Sequence, residues 1–170
     1  MSRKKAREIV LCLVFEKDYH KDVSCKKLFG DMIENGQAEE IYNSSNESFE
    51  SFNKKEEQDI KNDGRHNNTK NLTLTDNDLK YIKSVFFGVF DNIEQLDTLI
   101  SESSIGWERS RISKISMALL RIAVYEAIYL EDVPVSVSIN EAIELSKRYD
   151  HSEAYTFING VLGAVVKNIG

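Results

Sequence analysis

A single proline, eight glycines and two cysteines punctuate these 170 residues, and each shortage closes off a class of structure. So few turn formers cannot supply the frequent reversals of a many-stranded β protein, and the long stretches of 3.6-residue periodicity define an all-α chain. Cys12 and Cys25 stand on different expected helices, Cys12 within an apolar run. Two such thiols build no disulfide framework and read as reduced core side chains. His20, His66 and His151 hold no ligand spacing with them, so neither a metal site nor a cofactor is expected.

Long apolar runs are missing too. None approaches the roughly 18 to 20 residues of a membrane span. The run from Ile9 to Phe15 follows Arg3, Lys4, Lys5 and Arg7 as a signal peptide would. Glu16, Lys17 and Asp18 then stand where small cleavage-site residues belong, which points to a cytoplasmic protein. Also absent are the phosphate-cradling G-x-x-x-x-G-K-[ST] loop, the G-x-G-x-x-G turn, H-E-x-x-H, and any Ser or Cys set beside a base on a defined turn. Nothing here asks for catalysis.

What is present is a set of helical stripes. Ala6, Ile9, Val10, Leu13 and Val14 mark the buried side of a first helix from Arg3 to about Asp18, and a second runs from about Ser24 to Glu34. Residues 35–71 change character: Asn, Ser, Glu, Lys and Asp dominate, and the stretch reads as a disordered or loosely helical insertion. Thr75, with Asp76 and Asp78, caps a third helix whose face continues from Leu79 to Ile100. A nearly all-apolar central helix from about Ile112 to Leu130 should be surrounded by others. Arg121 and Glu126 interrupt it, and both are expected to be bonded within the fold, since stranding one charge of a buried pair costs roughly 3–5 kcal/mol.

The last stretch, residues 132–162, reads DVPVSVSINEAIELSKRYDHSEAYTFINGVL. Pro134 suits a loop or a first helical turn. Ile139, Ala142, Ile143 and Ser146 line one helix, and Ala154, Phe157, Ile158, Val161, Leu162, Val165 and Val166 another. Between them Ser152 is the expected N-cap with Glu153 in the first turn, and Gly160 is expected to permit close helix packing. Net charge is −6, yet four of the five residues 3–7 are basic. A few placed cations suffice for local phosphate contact, although the same charges also fit an unpartnered basic tail.

This text closely resembles the transcription antitermination factor NusB family. The INEA-x-E-L and F-[VI]-N-G-V-L words carry the likeness at the C-terminus. RKKAREIVLCLVFEKDY resembles the family's basic R-x-x-A-R-E opening, and A-x-L-R-x-A-x-Y-E leading into D-V-P resembles its central helix. The likeness covers roughly residues 3 to 30 and 75 to 168. It implies a single RNA-binding domain in which an N-terminal three-helix bundle (residues 3–34 and 75–101) packs on a C-terminal four-helix bundle (residues 107–168). It further implies a protein that binds boxA-type single-stranded RNA of nascent ribosomal RNA transcripts together with NusE, a ribosomal small-subunit protein, in a complex with other Nus factors and RNA polymerase.

Carried onto this chain, the resemblance implies RNA contact by Arg3, Lys4, Lys5, Arg7, Phe15, Lys147, Arg148, Asp150, Ser152, Glu153 and Phe157, and NusE contact by Arg111 and Ser116. Phe157 equally fits the apolar stripe of its helix, and Lys147 and Arg148 equally fit a solvated face. The chain departs from the family pattern at Ser116 and Met117, where an acidic residue and Arg are common. It departs again at Asp150 for Gly, Ala154 for Ser and Gly163 for Asp. Two other readings share the helical pattern: the RNA-targeting module of ribosomal RNA cytosine methyltransferases, and a protein–protein interaction module without RNA binding.

Overall fold

The stripe expected on the first helix is buried along α1 (Arg3–Tyr19), with Leu11 and Cys12 beside it. The computed structural model describes residues 3–35 and 74–170. The stretch read as an insertion, residues 35–71, lies outside them but for Asn35. After α1, Ser24 caps α2 (Cys25–Phe29) by accepting the Lys27 N–H at 3.1 Å, and the helix runs on into a π-helical turn, Gly30–Glu34. At α3 (Asp76–Asp91) a reciprocal cap forms. Thr75 Oγ1 accepts the Asp78 N–H at 3.2 Å while the Asp78 carboxylate accepts the Thr75 N–H at 2.9 Å, which satisfies donors that a helix start leaves orphaned.

Where the periodicity predicts one helix from Thr75 to Ile100, the chain breaks at Asn92 and resumes as α4 (Ile93–Ser103). The Asn92 amide donates to the Gly88 carbonyl at 2.8 Å, with backbone φ −115 and ψ 17. A short amide side chain that bonds the preceding turn offers the backbone a route out of the helix. The apolar spacing passes through unbroken, so periodicity alone does not reveal the kink. Its consequence is a change of partners: α3 packs on α1 and α5 (Lys114–Tyr129), whereas α4 packs on α5 and α7 (Ala154–Ile169).

Helix α5 sits in the middle. Ile115, Ser116 and every residue from Ala118 to Glu126 are buried, and α5 touches α1, α3, α4, α7 and α6 (Val135–Tyr149). One apolar core runs continuously from α1 to α7. Close approach of α3 to α5 requires Gly88, where a Cβ would fall 2.1 Å from the Tyr125 ring. Gly160 does not have that role: nothing lies within 4 Å of where its Cβ would stand, because it occupies the exposed side of α7. Nor is Ser152 an N-cap. The Ala154 N–H closes the turn on the His151 carbonyl at 3.1 Å, and Glu153 takes the cap position without a side-chain bond.

Both charges inside the central helix are bonded, as expected. Glu126 accepts Arg7 Nε at 2.9 Å and the Tyr81 hydroxyl, joining α1, α3 and α5. Burial and the neighbouring Glu126 charge push the Tyr81 hydroxyl far above its usual range, so it stays a donor. Arg121 forks onto Asp97 at 2.8 and 2.9 Å and reaches Asp18 at 3.4 Å, joining α5 to α4 and α1.

Burial alone would raise the Asp18 carboxyl, but the Arg121 and Lys114 charges outweigh it and hold it below its ordinary 3.8. A carboxylate depressed by folding adds stability that is fully present above the ordinary value and is lost as pH falls through the folded one. Urea midpoints of Asp18→Asn should therefore lie below wild type near neutrality, and the gap should begin to narrow below pH 3.8 and close only as the pH falls past the lowered folded value. A gap independent of pH would show that the charge contributes nothing.

Candidate nucleic-acid interface

The basic opening of α1 splits by helical geometry into an outer and an inner set. Arg3, Lys4 and Lys5 are exposed. Arg3 lies 4.3 Å over the Tyr81 ring and 4.0 Å from Asp132. Arg7, expected to touch RNA, is only 4% exposed. It faces inward because Ala6, Ile9 and Val10 set the buried stripe and Glu126 waits opposite; it is a structural cation.

From the other end of the chain, Arg148 reaches α1. Its guanidinium donates to Glu8 at 2.6 Å, the carboxylate buried and the Arg side chain about half exposed. Lys4 and Glu8 stand four residues apart and so share one face of α1. The pair therefore seats the end of α6 beside the basic opening of α1. Lys147, next along α6, is exposed; its Nζ lies 3.6 Å from Glu144 and 5.2 Å from the centroid of the Tyr155 ring. Ser152 and Glu153 are exposed in the turn that follows.

Asp150 belongs to the interior. It is 8% exposed and accepts the Ser113 hydroxyl at 2.6 Å, the Ser116 hydroxyl at 2.5 Å and the His151 N–H at 2.8 Å. A carboxylate at the first turn of α5 also meets the positive end of that helix. Asp150 thus pins the polar turn to α5 and is not placed to bond RNA. Ser116, expected to meet NusE, is 1% exposed and spends its hydroxyl on this anchor. Arg111 stays at the surface, 3.5 Å from Glu108.

The aromatics divide in the same way. Phe157 is 6% exposed and packs 4.7 Å from the half-exposed Trp107 ring. Of its two sequence readings, the core one describes the fold. Phe15 is half-buried, its ring 4.9 Å from Tyr19. Sequence reasoning overlooked Tyr155, which is 40% exposed. It stands two residues before Phe157, roughly 200° around the helix. An aromatic off the apolar stripe was the available signal, since the stripe already accounts for the others.

Kinship can be set against this geometry. The NusB family model matches residues 4–167. The chain belongs to the NusB family. The transcription antitermination protein NusB of Clostridium acetobutylicum is 33% identical over 168 residues, spanning 99% of this chain and 97% of its own. That of Acetivibrio thermocellus is 48% identical over 102 residues, covering 60% of this chain and 70% of its own. The fold agrees. NusB of T. maritima superposes with a TM-score of 0.68 at 23% identity, covering 98% of this chain and 92% of that one. A chain from the crystal structure of antitermination factors NusB and NusE in complex with dsRNA gives 0.65 at 20% identity and 99% coverage of both. Among the described residues of this NusB-family chain, no helix is long and apolar enough to cross a membrane.

Proposed function

We propose that this chain is a cytoplasmic transcription antitermination factor. It binds boxA-type single-stranded RNA of nascent ribosomal RNA transcripts together with NusE, within a complex of Nus factors on RNA polymerase. It acts by binding and catalyses nothing. The observation that carries this reading is the Glu8–Arg148 contact, which sets Lys4 of α1 beside the cationic end of α6 on a NusB fold. Arg3, Lys4, Lys5, Lys147 and Arg148 supply the phosphate contacts, and Ser152 and Glu153 border them. Arg111 faces NusE. Relatives aligned over nearly their full length are antitermination proteins, which favours this reading over a methyltransferase targeting module.

Two ligands on one rigid body make each tighten the other, because a coupling free energy is reciprocal. Filter binding of labelled boxA-type RNA, with and without purified NusE, across a salt series, tests the proposal. A scrambled single strand and a duplex serve as competitors. Sequence-preferring binding that strengthens with NusE is the expected result. Affinity indifferent to both sequence and NusE would leave a protein–protein interaction module as the better account.

A further inference from the structure

Tyr155 combines features that the core aromatics lack. Its ring is 40% exposed at the start of α7, with the exposed ammonium of Lys147 over it. Next to Lys147, Arg148 is anchored to Glu8 on α1. An isolated exposed aromatic means little. A ring flanked by a cation on a surface continuous with other cations is what a stacking platform for single-stranded nucleic acid requires: the ring takes a base face and the cation meets the backbone.

Among the described residues, two other exposed rings are otherwise engaged. Trp107 packs on Phe157, and the Tyr129 hydroxyl donates to Asn92 and Gln95 at 3.2 and 2.7 Å. Tyr19 is the nearest rival, 54% exposed with Lys114 5.2 Å from its centroid. It lies at the opposite end of α1 from Arg3 and Lys4, roughly 24 Å along the helix axis at 1.5 Å per residue. Tyr19 therefore stands far from the basic opening, whereas Tyr155 adjoins Lys147, next to the Arg148 that is bonded to α1.

We propose that Tyr155 is the ring on which an unpaired base of the bound RNA stacks, with Lys147 meeting an adjoining phosphate. This rests on the RNA-binding reading above and assigns its base-contacting residue. The test is titration of the 170-residue chain as wild type, Tyr155→Ala, Tyr155→Phe and Tyr19→Ala with the boxA-type single strand in the presence of NusE, across a salt series, with circular dichroism confirming the fold of each. Tyr155→Ala should bind roughly 5- to 150-fold more weakly, as loss of one stacked base does. Its salt slope should not change, because stacking releases no counterions. Tyr155→Phe and Tyr19→Ala should bind like wild type. Wild-type affinity in Tyr155→Ala, an equal loss in Tyr155→Phe, or a larger loss in Tyr19→Ala would overturn the assignment. Failure of wild type itself to bind would instead overturn the RNA-binding reading, and this proposal with it.

Discussion

Arg7→Ala should lower folding stability by about 3–5 kcal/mol, the range for stranding one member of a buried pair. Arg7 is 4% exposed, and the Glu126 side chain that accepts its Nε is 1% exposed. Without Arg7 that buried carboxylate keeps only the Tyr81 hydroxyl as a bonding partner, and its burial is no longer compensated by a cation. The contact joins helices far apart in sequence, residues 7 and 126, so the whole assembly of α1, α3 and α5 shares the cost. Urea denaturation measures it. A triple replacement, Arg7→Met with Glu126→Leu and Tyr81→Phe, should recover much of the loss, since it leaves neither an orphaned charge nor an unpaired Tyr81 hydroxyl. On protein that remains folded, the salt dependence of RNA binding should match wild type. A small stability change with a flatter salt slope would instead return Arg7 to the RNA surface.

Phe157→Ala should be of similar severity, about 3–5 kcal/mol for an aromatic removed from a core. The ring is 6% exposed and lies 4.7 Å from Trp107. Trp107 is the chain's one tryptophan, so its emission reports the change directly: with the Phe157 ring gone, the indole should become wetter and emit further to the red. Held well below its lowered melting point, the variant should still bind RNA. Loss of RNA affinity with unchanged stability would make Phe157 a stacking ring and Tyr155 incidental.

Much of the fold is legible in the sequence because burial writes a period. The stripes of α1, α5 and α7, the Thr75 cap and the bonding of Arg121 and Glu126 follow from spacing and from the cost of burying charge. The break at Asn92 does not, because a kink that preserves the apolar face leaves no mark on periodicity. Ser152 and Gly160 show a related limit: residue type names a capacity, and only the surrounding backbone decides whether it is used.

The candidate interface was legible as a neighbourhood and less so as a set of side chains. A basic pentad and a polar turn can be seen in the text, but whether each member faces water depends on helix rotation. Arg7 turns inward while Lys4 turns out. Asp150 and Ser116, both departures from the family pattern, meet each other across 34 residues of sequence. Neither position alone announces that contact. Tyr155 lies off the apolar stripe that Phe157 occupies, and spacing alone gives an exposed ring no signature.

If Lys4 on α1 and Lys147 on α6 belong to one phosphate-binding surface, as proposed, both must appear in the salt dependence of binding. Log affinity for the boxA-type single strand should be measured against log salt for wild type, Lys4→Ala, Lys147→Ala and the double variant. Each single change should flatten the slope by roughly 0.7 and the double by roughly 1.4, as for separate phosphate contacts on a single strand, with melting midpoints unchanged. Slopes that all coincide with wild type would place the RNA elsewhere on the protein and rule out a surface shared by α1 and α6.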